Sequence, residues 1–137
     1  MTPDRILETV IYASDLTAAE EFYARILGLA PFSKLDGRQL FYRCGNQVLL
    51  VFNPSATEVP PPADAALPVP PHGAKGPGHV CFSASATEID AWRRHLEAAG
   101  VEIEADFLWP SGGRSIYFRD PADNCLEFAE PRIWGLT

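Results

Sequence analysis

No apolar run in the chain approaches the ~20 residues that a helix needs to cross a bilayer, so no helical membrane span is expected. Cysteine is scarce. Cys44, Cys81 and Cys125 are odd in number and widely spaced, which argues against a disulfide framework and fits a reducing cytoplasm. Basic residues are also in short supply. Eleven Lys and Arg stand against eighteen Asp and Glu, a formal charge of -7, and such a surface disfavours nucleic acid and anionic membranes as partners. Met1-Thr2-Pro3-Asp4-Arg5 shows neither the basic segment nor the apolar stretch of a secretory leader, so none is expected. What the chain does have is a hydrophobic fraction of 47% over 137 residues, enough for the core of one domain or two small fused modules.

The order of patterns repeats. "RILETVIYAS" alternates and is rich in β-branched residues, as a strand is. "DLTAAEEFYARILG" then carries a helical stripe of Ala19, Phe22, Tyr23, Ile26 and Leu27. Thr17 with Glu20 predicts a capping box, and Gly28 a C-terminal stop. "LAPFSKL", "RQLFYRC" and "QVLLVF" read as three strands joined at Asp36-Gly37 and Gly45-Asn46. The second half matches: "HVCFSA" as a strand, "TEIDAWRRHLEAAG" as a helix, then "VEIEADFLW", "RSIYFRD" and "NCLEFAE" as strands. "LFYRCGNQVLLVF" and "IYFRDPADNCLEF" are visibly similar, and such an internal repeat decides the fold. The expectation is two βαβββ modules, at 4–53 and 78–132. Between them, 54–77 is a proline-rich linker holding eight of the thirteen prolines. His72 inside it is expected to be a solvated loop residue.

Strand alternation sorts the faces. The helices must bury their stripes on the face that carries Leu7 and Ile11, Val80 and Phe82, Leu126 and Phe128. The opposite, open face then carries Glu8, His79, Cys81, Cys125 and Glu127, with Tyr117 and Arg119. If the first and last strands of a module are neighbours, His79 and Glu127 touch. If a pseudo-twofold relates the modules, Glu8 approaches them. One imidazole and two carboxylates on a concave sheet face make a metal site of nitrogen and oxygen donors. With His79 level with Glu127, Cys81 and Cys125 would fall roughly 13 Å apart at ~3.3 Å per residue, too far for a disulfide. Tyr42, Trp109, Arg114 and Tyr117 are candidates to line a substrate pocket, although aromatic residues more often serve packing. Glu8 has the alternative of a solvated strand end. Arg119-Asp120-Pro121 reads as a turn former.

The chain resembles the vicinal oxygen chelate superfamily, which includes glyoxalase I, extradiol dioxygenases, fosfomycin-resistance enzymes, methylmalonyl-CoA epimerase and bleomycin-binding proteins. The resemblance rests on "LETVIYASDLTAAEEFYARILGL", "GHVCFS" and "SIYFRDPADNCLEF". It implies an α+β domain in which two tandem βαβββ modules form a concave half-barrel sheet with the helices outside. It also implies metal ligands at Glu8, His79 and Glu127. The remaining family position falls on Leu49, Leu50 or Val51, none of which binds metal, a departure from glyoxalase I. The implied cofactor is a divalent ion, with Mn, Zn, Ni, Fe and Mg all open. Glu8 or Glu127 is the implied base, and the reaction could be isomerisation, lyase chemistry, thiol addition or oxygen insertion on a small oxygenated molecule. The alternative is a metal-free protein that sequesters a cationic antibiotic, as bleomycin-resistance proteins do. A homodimer is expected, because an open half-barrel leaves sheet edges unpaired.

Overall fold

The computed structural model describes all 137 residues, in two compact units, Met1–Gly76 and Pro77–Thr137. The first unit runs β1 (Glu8–Tyr12), α1 (Leu16–Leu27), β2 (Ser33–Leu35), β3 (Gln39–Cys44), β4 (Gln47–Phe52) and the short α2 (Pro54–Thr57). The second runs β5 (His79–Ser83), α3 (Ala86–Ala98), β6 (Ala105–Leu108), β7 (Arg114–Arg119), β8 (Cys125–Ala129) and a 3-10 turn at Pro131–Trp134. Each unit is a βαβββ module with a four-stranded mixed sheet, ordered β1-β4-β3-β2 and β5-β8-β7-β6. First and last strands pair in parallel in both. The protein is thus α+β, two tandem modules of one design. No helix is long and apolar enough to cross a membrane.

In the first module Tyr23 of α1 stacks on Tyr42 of β3, ring centroids 5.4 Å apart. Ile11, Leu40, Leu49, Val51, Phe22 and Ile26 complete the buried layer under α1. In the second, Phe128 lies between Trp92 of α3 at 4.4 Å and Phe118 at 5.7 Å. Such pairs add about 0.5–1.5 kcal/mol each beyond the area they bury. These contacts commit one face of each sheet to its helix.

The helix starts differ from expectation. Asp15, not Thr17, caps α1, accepting at 2.9 Å from the Ala18 amide. Asp15 has the extended backbone of a cap, so Thr17 is already inside the first turn. The capping box belongs instead to α3, where Ser85 and Glu88 satisfy each other's backbone amides. Gly28 closes α1 in the left-handed region, at φ 66°, where a Cβ would be strained. The linker is also more ordered than a solvated loop. His72 is half-buried, its Nδ1 is 2.7 Å from the Tyr12 hydroxyl, and its ring meets Phe52 edge-on at 4.9 Å. The Asp120 carboxylate accepts from the Ala122 and Asn124 amides, so the Arg119-Asp120-Pro121 stretch does shape its turn.

The register between β5 and β8 needs correction. His79 is level with Cys125, and Cys81 with Glu127. A clamp sets this offset: the Asn124 side-chain oxygen accepts from the Gly78 amide at 2.8 Å, and the Cys125 amide donates to the Gly78 carbonyl at 2.9 Å. Cys81 and Cys125 are therefore two residues out of step, not separated in opposite directions from a His79–Glu127 rung. All three cysteines are free thiols.

Candidate functional site

The chemistry concentrates on the open face of the second module. Period-two alternation puts His79, Cys81 and Ser83 of β5 beside Cys125, Glu127 and Ala129 of β8, with Ser115, Tyr117 and Arg119 of β7 beyond. His79 reaches diagonally to Glu127, with Nε2 3.3 Å from Oε2. Its Nδ1 lies 2.9 Å from the Cys125 carbonyl oxygen. A carbonyl only accepts, so Nδ1 carries the hydrogen and Nε2 of the neutral ring is a lone-pair acceptor. Two acceptors at 3.3 Å repel unless something positive joins them, either a proton on Nε2 or a cation. Fixing one ring nitrogen by a carbonyl is also how metal-binding histidines are oriented.

Glu127 is 5% exposed, and its Oε1 is buried without a hydrogen-bond partner. An unsatisfied buried charge costs several kcal/mol, so this oxygen is poised for a partner from outside the chain. Tyr117 stands directly across from Glu127. Burial first, and then the neighbouring Glu127 carboxylate, push the Tyr117 hydroxyl up to about 12. Cys81 stands across on the other side. Although the residue is exposed, the dehydration of its sulfur, with the Glu127 charge second, pushes the thiol up to about 12. Both groups therefore keep their protons at neutral pH.

An aromatic wall continues from this pair. Tyr117 stacks on His79 at 6.4 Å and on Phe107 at 5.7 Å. Phe107 meets Trp109 at 5.1 Å, and Trp109 Nε1 donates to the Ser115 hydroxyl at 2.8 Å. Tyr117 lies level with Glu127 on the open face, and Trp109 reaches Ser115 on the same face. Phe107 was missed, although its alternation with Asp106 and Leu108 signalled its face.

Two other candidates lie elsewhere. Tyr42 is fully buried under α1, a core residue and not a pocket wall. Arg114 turns to the helix side, where its guanidinium pairs with Asp106 on β6 and Asp90 on α3. Those hydrogen bonds hold the Asp106 carboxyl below its ordinary range, against the opposing effect of its partial burial. A depressed folded-state value means stability that is present above the unfolded value near 3.9 and lost as pH falls through the folded one. Asp106→Asn should therefore flatten the acid side of the melting temperature–pH curve below about pH 4, as differential scanning fluorimetry would read.

Glu8 is exposed and level with Val48 on β4. By the same register Leu50 holds the place in the first module that Glu127 holds in the second, so the module repeat carries no donor there. A groove of about 410 Å³ in the first module, lined by Leu16, Thr17, Glu20, Lys34 and Leu40 among others, has its charges already paired: Lys34 Nζ is 2.6 Å from Glu20. No three His, Cys, Asp or Glu side chains are already gathered to hold a metal. His79 and Glu127 nonetheless fit one, as an imidazole with its free nitrogen directed at a carboxylate whose other oxygen lacks a partner.

Residues 5–128 match the model of the glyoxalase/bleomycin resistance protein/dioxygenase superfamily. A crystal structure of lactoylglutathione lyase from Agrobacterium tumefaciens is similar at 44% identity and TM-score 0.92, over 99% of this chain and 100% of that one. A glyoxalase/bleomycin resistance protein/dioxygenase from Nocardioides shares the fold at 22% identity and TM-score 0.72, over 95% and 85%. A glyoxalase-related enzyme from Fulvimarina pelagi does so at 22% and 0.69, over 96% and 91%. No curated protein matches the sequence.

Proposed function

The chain belongs to the glyoxalase/bleomycin resistance protein/dioxygenase superfamily, and from that membership we propose that it is a divalent-metal-dependent, glyoxalase-like enzyme acting on a small oxygenated substrate. The observation that carries this reading is the Glu127–His79 pair, with a carboxylate oxygen left buried and unpartnered beside it. The 44% identity to lactoylglutathione lyase supports it and favours lyase or isomerase chemistry over oxygen insertion. A carboxylate alone would also serve a protein that sequesters a cationic antibiotic; the imidazole beside it, with Nδ1 fixed on the Cys125 carbonyl, is what favours a metal.

In this reading His79 Nε2 and Glu127 are the ligands from the second module, and Glu8 is carried as a third candidate from its repeat-related place in the first. The ion would supply Lewis acidity, drawing electron density from substrate oxygens as negative charge develops on them. The protein's own groups do the rest. Glu127 Oε1, buried and uncommitted, takes a proton from the carbon next to a carbonyl and returns it one carbon along. Tyr117, directly across from Glu127 on β7, keeps its own proton. Phe107, Tyr117 and Trp109 line the approach with apolar surface that excludes water and strengthens each charge interaction.

The test is a screen of metal-supplemented protein against glutathione hemithioacetals, catechols and fosfomycin, followed by absorbance and by thermal shift. Turnover of a hemithioacetal that disappears with chelator and returns with one added divalent ion is the expected result. Turnover of none of the three, with a metal-independent thermal shift from a cationic glycopeptide antibiotic, would sink the enzyme reading.

A further inference from the structure

A buried pair of polar side chains stands behind the backbone that anchors His79. His79 Nδ1 lies 2.9 Å from the Cys125 carbonyl. Asn124, just before Cys125, reaches back to Gly78, just before His79, and its Oδ1 accepts from the Gly78 amide at 2.8 Å. Asn124 is fully buried and Asp120 nearly so. Asn124 Nδ2 donates to Asp120 Oδ2 at 2.9 Å, and Asp120 Oδ1 accepts from the Ala122 and Asn124 amides. Three donors thus compensate the buried carboxylate, and the Asn124 amide group is turned with its oxygen toward Gly78. The turn takes on strain to do this, because Asp123 is the one non-glycine residue at positive φ, 66°, a region uncommon for residues with a Cβ. The backbone half of the clamp recurs in the first module, where the Val48 amide donates to the Leu7 carbonyl at 3.2 Å. Gln47 holds Asn124's place there; it is exposed and makes no such bond. The side-chain half is confined to the module that carries the imidazole.

We propose that Asn124 and Asp120 are positioning residues for the site: by holding Gly78 against the start of β8 they keep the His79 Nδ1 hydrogen on the Cys125 carbonyl, and so leave Nε2 as the lone-pair nitrogen that faces Glu127. The consequence for turnover rests on the reading of the preceding section; the consequence for the ring does not. Two influences pull the ring toward the other tautomer. The His79 side chain is 52% exposed, and a neutral histidine ring in water favours its hydrogen on Nε2. A hydrogen there would also be met by Glu127 Oε2, 3.3 Å away. The bond to the Cys125 carbonyl outweighs both only while ring and carbonyl stay in place, because a hydrogen bond weakens steeply as its geometry departs from the ideal. Without the clamp Gly78 and His79 gain freedom against β8, the Nδ1 bond loosens and the ring reverts. Nε2 then carries a hydrogen and has no lone pair to offer. Asn124 and Asp120 act on the chemistry only through Gly78 and Cys125.

The tautomer is read directly in full-length, metal-free protein labelled with nitrogen-15 at histidine, by long-range proton–nitrogen NMR with the ring neutral; the His79 signals are those absent from His79→Ala. Wild type should show the Nδ1–H form, and Asn124→Ala should shift toward Nε2–H. Asp120→Ala, which frees the Asn124 amide without removing it, should move the ring the same way and serves if Asn124→Ala does not fold. The double variant Asp120→Asn with Asn124→Asp is the rescue. The carboxylate placed at 124 still accepts from Gly78, and the amide placed at 120 donates the bond that position formerly accepted, so the Nδ1–H form should return. Turnover of the substrate found by the screen, with metal supplied, should fall by roughly 10- to 100-fold in Asn124→Ala, the range for losing a group that orients a ligand, and recover in the double variant. An Asn124→Ala protein that melts lower yet keeps the Nδ1–H form and wild-type turnover overturns the proposal and makes the clamp structural. So does wild type in the Nε2–H form. A tautomer that follows Asn124 while wild type turns over no substrate upholds the placement of the ring and overturns the enzyme reading instead.

Discussion

Glu127→Gln is expected to raise the melting temperature of metal-free protein while lowering turnover by ~10²- to 10⁴-fold, the range for removing a positioned general base. The two signs follow from one geometry. The carboxylate is 5% exposed with Oε1 unpartnered, and leaving such a group unsatisfied costs about 1–3 kcal/mol or more. Glutamine keeps the shape and removes the charge. Its amide nitrogen can also donate to His79 Nε2, which a carboxylate cannot do. Metal-free protein therefore gains from the change. The base is lost with the charge, and so is most of the attraction for a cation. Melting curves with and without chelator, beside turnover of the substrate found by the screen, read both effects. A variant as active as wild type would show that Glu127 moves no proton. A variant less stable than wild type without metal would show that Oε1 is satisfied in solution.

The parts of this site that were legible in the sequence are those that depend on parity. Alternation along "HVCFS" and "CLEFA" puts His79 and Glu127 on one face, and the module repeat makes their strands neighbours. Parity says nothing about offset. The register came from Asn124, which read as one more turn residue and instead clamps Gly78 to the start of β8. Tyr42 lies in "LFYRC", where both faces are apolar at Leu40 and Phe41, so the pattern could not choose its side; Tyr23 on α1 chose it. Arg114 was legible and misread, because the parity that sends Tyr117 to the open face sends Arg114 to the other. The start of α1 reads in the sequence from Thr17 with Glu20, whereas Asp15 two residues earlier already caps the Ala18 amide. His72 could not be read from composition at all, since a proline-rich run gives no hint that one imidazole will seat between Tyr12 and Phe52.

His79→Ala is expected to abolish metal-dependent stabilisation outright. Binding to the native state alone adds ~2.7 kcal/mol at a hundredfold excess of ion over the dissociation constant, so wild type should gain that increment in a melting experiment. His79 is the imidazole donor of the patch, and its useful tautomer depends on the Nδ1 bond to the Cys125 carbonyl. Alanine removes the donor, that bond and the partner facing Glu127 Oε2. Two losses then need separating. Metal-free His79→Ala should fall below metal-free wild type by about 1 kcal/mol for the lost hydrogen bond, and that drop says nothing about metal. The decisive quantity is the difference between curves with and without ion, which should shrink to zero in the variant. Leu49→Ala is the control, because Leu49 is buried at 2% exposure under α1. A truncated core leucine costs about 2–5 kcal/mol, yet this one should leave the metal increment at its wild-type size. An increment that survives in His79→Ala would place the ion elsewhere, leave Nε2 to pair with Glu127 through a proton, and remove the metal from the proposed mechanism.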